Sequence, residues 1–234
     1  MKRRLFCAGF VAACMAHATA LAQPSESYAP GPFDRLTISG QARIELAQGE
    51  QDMVTVVGGD DVQRAVRVHL RRGELLVSTH GDWKFWSRAP VLLRVQMREV
   101  RHLVISGLSD IVAVRPIRAE DLRITISGKG DVRLPQLSAQ KLRFEISGAG
   151  DAELGGAVDE LVLNVAGAGR VNAERLRARE ARVVVSGAGM SDVWVTEELK
   201  VAVSGPGSVS YWGKPSVRQS VSGFGTVTAR GEKQ

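Results

Sequence analysis

The chain has 234 residues, 44% of them hydrophobic and only 5% aromatic, and a formal charge of +6 from 31 basic and 25 acidic side chains. That charge is too small and too interspersed for a nucleic-acid surface, which needs a basic patch or stripe on one face. The histidines are scattered, and no pair of them has a metal-ligand spacing.

The first 22 residues carry Lys2, Arg3 and Arg4, an apolar run from Leu5, and then Ala20, Leu21 and Ala22. This is the order of a secretory signal peptide cleaved after Ala22. Its removal takes three basic residues and no acid, leaving 28 against 25 and a charge of +3. Cys7 and Cys14 leave with it, so the mature chain is expected to have neither a disulfide nor thiol chemistry. A lipoprotein box ending at Cys14 is the less favoured alternative, because the apolar run before it is short. No later run approaches the ~18 apolar residues of a membrane span. The expected location is the periplasm or the cell exterior.

Residues 23–32, rich in Pro, Ser and Ala, read as a flexible leader. Residues 33–100 read as a strand-rich capping region. FDRLTISGQARIEL forms a degenerate first coil around Gly40, followed by strands at 54–61, 66–79 and 91–97, with a hairpin turn at Arg72 and Gly73. Between the last two strands, Trp83, Phe85 and Trp86 stand beside Lys84 and Arg88. Such a loop can stack on sugar rings or anchor a partner. It can equally fold back to seal an end of the domain, which is the favoured reading.

From 101 to 230 the chain repeats itself. ISGLSDIVA, ISGKGDVRL, ISGAGDAEL, VAGAGRVNA, VSGAGMSDV, VSGPGSVSY and VSGFGTVTA place their first glycines at 107, 128, 148, 167, 187, 205 and 223, a period of 18 to 21. A phosphate-binding glycine loop occurs once and opens a helix, whereas each of these glycine pairs is followed by an alternating strand such as Asp131-Val132-Arg133-Leu134. Two residues before each glycine stand Ile105, Ile126, Ile146, Val165, Val185, Val203 and Val221. Four before stand Leu103, Ile124, Phe144, Leu163, Val183, Val201 and Gln219. Period-two alternation of branched residues means strands with one face inside, and units this short close a core only by stacking. The expected fold is all-β, a β-helix-like solenoid of about seven to eight coils. Its glycines would serve positive φ or close approach between coils, its serines would stack as a hydroxyl ladder, and residues 231–234 would form a polar tail.

The order FDRLTISG, IELAQGE, serial SGxGD units and a terminal YWGKPSVRQSVSGFG closely resembles the head GIN domain family, exported bacterial proteins labelled auto-transporter adhesins. The resemblance implies a right-handed, single-stranded β-helix and a place in the cell envelope. It implies no reaction, and nothing after Gly205 offers the alternating strands and aromatic girdles of a membrane barrel.

Three residues after the first glycine stand Asp110, Asp131 and Asp151 on consecutive rungs, then Arg170, Met190, Ser208 and Thr226. Carboxylates about 4.8 Å apart could share a cation or act as the acid pair of a polysaccharide hydrolase or lyase, in which Asp131 and Asp151 would do the work. An aspartate that braces a turn is the plainer reading, and the loss of the acid in later units favours it. The functional expectation is a non-enzymatic adhesion or binding module for an envelope polysaccharide or a surface protein, with no cofactor, metal or nucleic acid. The enzyme and a self-associating structural protein are the alternatives.

Overall fold

A computed structural model describes residues 25–79 and 90–233, so the proposed signal peptide lies outside the described residues. In chain order the elements are β1 (Ser25–Tyr28), β2 (Arg35–Ser39), β3 (Gln41–Gln48), β4 (Met53–Val57), α1 (Asp60–Ala65), β5 (Val66–Arg71), β6 (Glu74–Thr79) and β7 (Val91–Met97). The repeats supply β8 (His102–Ile105), β9 (Leu108–Ala113), β10 (Ile117–Ile126), β11 (Val132–Ile146), β12 (Asp151–Val165), β13 (Arg170–Val185), β14 (Met190–Ser204), β15 (Ser208–Trp212), β16 (Ser216–Ser222) and β17 (Thr226–Ala229). From β8 onward every pairing is parallel, and the strands form one continuous sheet wound into a solenoid.

Inward residues stack as expected. Ile124, Phe144, Leu163 and Val183 are register partners on successive rungs, as are Ile126, Ile146, Val165 and Val185, and all are buried. Each such side chain removed from water stabilises the fold by about 1.5–3 kcal/mol before entropy is counted. Within these units the strands are long and continuous: β11 to β14 run for 15 or 16 residues through their corners. The alternation of buried and exposed positions merely slips at exposed pairs such as Pro135 and Gln136.

The solenoid has about six turns, fewer than the seven to eight expected. The reason is that a glycine marks a corner, which need not belong to a complete coil. The corners at Gly40 and Gly107 each join only two short strands, and the corner at Gly223 is followed by four residues of strand.

Most repeat glycines are required by proximity. A Cβ on Gly148 would lie 1.9 Å from the carbonyl oxygen of Gly128, and one on Gly167 the same distance from that of Gly148. Positive φ enters only at the ends of this stack, at Gly40, Gly205 and Gly223. The serine hydroxyls do not bond one another as a ladder would; Ser106 and Ser127 each donate to a backbone carbonyl of the rung before, Ile38 and Ile105.

The capping region differs more. β2 and β3 do not form the outermost coil: β2 lies between β6 and β8, and β3 between β7 and β9. β5 then covers β6, and β4 covers β7, both antiparallel. The turn at Arg72 and Gly73 is a two-residue hairpin with φ of 50° and 76°. The strand expected over 54–61 stops at Val57, and Asp60 and Asp61 open α1, where acidic side chains complement the helix N-terminus. Part of the stretch read as a leader, Ser25–Tyr28, is the strand β1 paired with β4. At the other end the last rung is open, with Val221 and Phe224 exposed.

Candidate functional site

Asp151 is the register partner of Arg170, and Asp131 and Asp151 immediately precede the Val132–Ala152 pair, so these aspartates stand on successive rungs. Its oxygens are engaged locally. Asp110 accepts the Asp131 backbone N–H at 3.2 Å, Asp151 accepts that of Arg170 at 3.1 Å, and Asp131 pairs with Arg133 at 3.2 Å. Asp110 and Asp151 thus brace the corner of the next rung, while Asp131 is held by an arginine on its own rung. No group of three or more His, Cys, Asp or Glu among the described residues could hold a metal. Trp83, Phe85 and Trp86 lie outside the described residues.

A different feature dominates the surface. Along the middle segment of each coil the register runs Arg118, Ser138, Ala157, Arg177 in one row and Ala119, Ala139, Val158, Ala178 in the next. Small side chains in the second row leave a groove of about 720 Å³, walled by the first row and by Glu120, Gln140, Asp159, Arg179 and Glu197, with Glu99 and Arg101 at its head. It spans four rungs, about 15 Å. Among the described residues its charged lining is balanced, four acids against four arginines, and holds no aromatic ring.

The two ends of the groove are stiffened by ion pairs. At one, Arg101 reaches Glu99 at 2.7 Å and Asp34 at 3.5 Å. At the other, Arg179 grips Glu197 through two hydrogen bonds of 2.9 and 3.1 Å, which hold the Glu197 carboxyl below its ordinary range. Between them Arg118, Glu120 and Arg177 have no ion-pair partner among the described residues, so their charges face the groove. A side branch of about 320 Å³ leads from Glu99, Arg101 and Glu120 to His102. Burial, and secondly the Arg123 charge, keep that imidazole below its usual pKa of 6.5, and its Nε2 is buried without a partner.

Sequence reading passed over this groove. The signal was present as recurring triplets, Arg118-Ala119-Glu120, Ser138-Ala139-Gln140, Ala157-Val158-Asp159 and Arg177-Ala178-Arg179, each about ten residues after a repeat glycine. Nothing in their residue types marks them as chemistry; only stacking makes them a surface.

The profile of a protein family described as "Putative auto-transporter adhesin, head GIN domain" matches residues 32–215. Among curated proteins none matches. Solved structures do. A "putative adhesin" from Bacteroides fragilis is 23% identical with a TM-score of 0.82 over 91% of this chain and 98% of its own. A "putative lipid binding protein" from Parabacteroides distasonis is 19% identical with a TM-score of 0.69, over 90% and 97%. A "putative adhesin" from Parabacteroides merdae is 18% identical with a TM-score of 0.66, over the same shares. These likenesses show a shared fold. No helix among the described residues is long and apolar enough to cross a membrane.

Proposed function

Because the chain belongs to the head GIN domain family, whose description is that of an adhesin, we propose that it is an exported, non-enzymatic binding module that holds a protein ligand in the groove over Ala119, Ala139 and Val158. The observation that carries this reading is the groove's lining. Arg118, Glu120 and Arg177 offer unpaired charges of both signs on a floor of small side chains, with stiff ion pairs at either end. A balanced field gives no advantage to a polyanion, and between Arg118 and Arg177 the described lining offers no aromatic ring on which a sugar could stack. A polypeptide of mixed charge satisfies both walls. Asp110 and Asp151 are assigned a bracing role, since their oxygens bond the neighbouring rung. The basic residues Lys2, Arg3 and Arg4, the apolar run from Leu5 and Ala20-Leu21-Ala22 support export to the envelope.

The test is adherence of the labelled protein to bacterial and host cell surfaces treated beforehand with protease or with periodate. Adherence abolished by protease, kept after periodate, and reduced at least about tenfold by the pair Glu120→Lys and Arg177→Glu at unchanged melting temperature is the expected result. Loss on periodate alone would make the ligand a glycan and move attention to Trp83 and Trp86.

A further inference from the structure

The wall row of the groove does not end at Arg177. Its register partner on β14 is Trp194, and the partner of Trp194 on β15 is Trp212, so two outward indoles stand on adjacent rungs in line with the groove. A lysine ammonium from the same chain rests on them. Lys233 Nζ is 5.6 Å from the Trp194 ring centre and 5.4 Å from that of Trp212, and it donates a hydrogen bond to the backbone carbonyl of Glu174. A cation over two indole faces is attracted by both ring quadrupoles, and the carbonyl adds a directed acceptor that only an N–H can use.

The segment that brings Lys233 there is lightly held. Arg230 N–H bonds Tyr211 O at 2.8 Å and Gly213 N–H bonds Gly231 O at 2.9 Å. Beyond Gly231, among the described residues, the Lys214–Glu232 ion pair at 2.8 Å and the cage itself secure the chain. Gly231 has φ of 89° and open space around it, so rotation there releases Lys233 without disturbing a rung.

We propose that Trp194, Trp212 and the Glu174 carbonyl form a binding site for a primary alkylammonium, the lysine side chain of a protein partner, and that Lys233 is its internal competitor. The present occupant shows the chemistry the site accepts: a primary ammonium over both indoles with an N–H aimed at the carbonyl. A quaternary ammonium satisfies the rings and fails the carbonyl. Displacement of Lys233 uncovers the indoles that continue the groove's wall row, so a partner lysine would fasten a polypeptide already lying along the wall. The site itself does not depend on the groove's being occupied.

The experiment follows the indole N–H resonances of Trp194 and Trp212 in the full chain and in Lys233→Ala during titration with Nα-acetyl-lysine methylamide, ethanolamine and tetramethylammonium. The expected result is saturable shifts of both indoles with the lysine probe, a midpoint at least about fivefold lower in Lys233→Ala because a tethered competitor at millimolar effective concentration is gone, and a weaker response to tetramethylammonium. Trp212→Leu should abolish the shift of Trp194. No shift in Lys233→Ala, or an equal midpoint with tetramethylammonium, overturns the assignment; ethanolamine binding without lysine binding overturns the choice of lysine. These indole readings do not involve Glu120 or Arg177, so a failed groove leaves them interpretable.

Discussion

The close stacking of the repeat corners makes Gly148→Ala the most informative single substitution. The new Cβ would sit 1.9 Å from the Gly128 oxygen, where ordinary contact begins at 3.4 Å, so the rungs must part locally by about 1.5 Å. The atoms it meets are all backbone of Gly128, so no flexible side chain can yield. Parting by that amount breaks the bonds that join the corner to the preceding rung: Ser147 N–H to Ile126 O at 2.9 Å and Ala149 N–H to Gly128 O at 3.2 Å. At about 1 kcal/mol net for each, the loss is roughly 2 kcal/mol. With a urea m-value of about 2 kcal/mol/M, the unfolding midpoint followed by far-ultraviolet circular dichroism should fall by about 1 M. Gly59→Ser is the control: φ there is −72°, a Cβ meets nothing within 4 Å, and serine suits the start of α1, so the midpoint should hold or rise slightly. A Gly148→Ala midpoint within about 0.3 M of the parent would refute the claim that close approach is what demands glycine.

Asp151→Ala should lower stability by about 1 kcal/mol through the lost bond to the Arg170 N–H, and millimolar calcium should leave the melting temperature of the parent unchanged if the carboxylates serve only the backbone. Ser191 stands at an inward position between Val171 and Val209 with its hydroxyl buried and unpaired, so Ser191→Ala should stabilise the protein by about 1 kcal/mol in the same urea assay. His102 gives a pH dependence. Its folded pKa lies below 6.5, so the unfolded chain binds the proton more readily; stability is complete above pH 6.5 and declines as pH falls below it. His102→Gln should flatten that decline in melting temperature measured from pH 7.5 to 5, and an unchanged slope would remove histidine as its cause.

The inward ladders were legible because alternation and branching are local properties: Ile126, Ile146 and Val165 announce a buried row wherever their neighbours stack. The repeat glycines were legible in position, although only three-dimensional stacking separates close approach at Gly148 from positive φ at Gly205. The order of the first rungs was not legible, since alternation says which face of β2 is inside and nothing about whether β6 or β8 lies beside it. The groove was hidden for the same reason, because Ala119 and Ala139 are unremarkable until they stand next to each other. The cage escaped because Trp194 and Lys233 are far apart in sequence and meet only through the returning segment.

The placement of β2 and β3 has a consequence for the order of synthesis. Ile38 lies beside Val77 and Ile105, partners 39 and 67 residues downstream, so the early strands have no edge to join until both neighbours have been made. Contacts this distant in the chain close slowly. From Ile117 onward the reverse holds: each new coil finds a finished edge about twenty residues behind it and can dock as it emerges. A chain emerging from its N-terminus would therefore hold β2 and β3 without a parallel neighbour until the downstream strands are made, while the local β5–β6 hairpin can already close, and it would then add the later coils quickly.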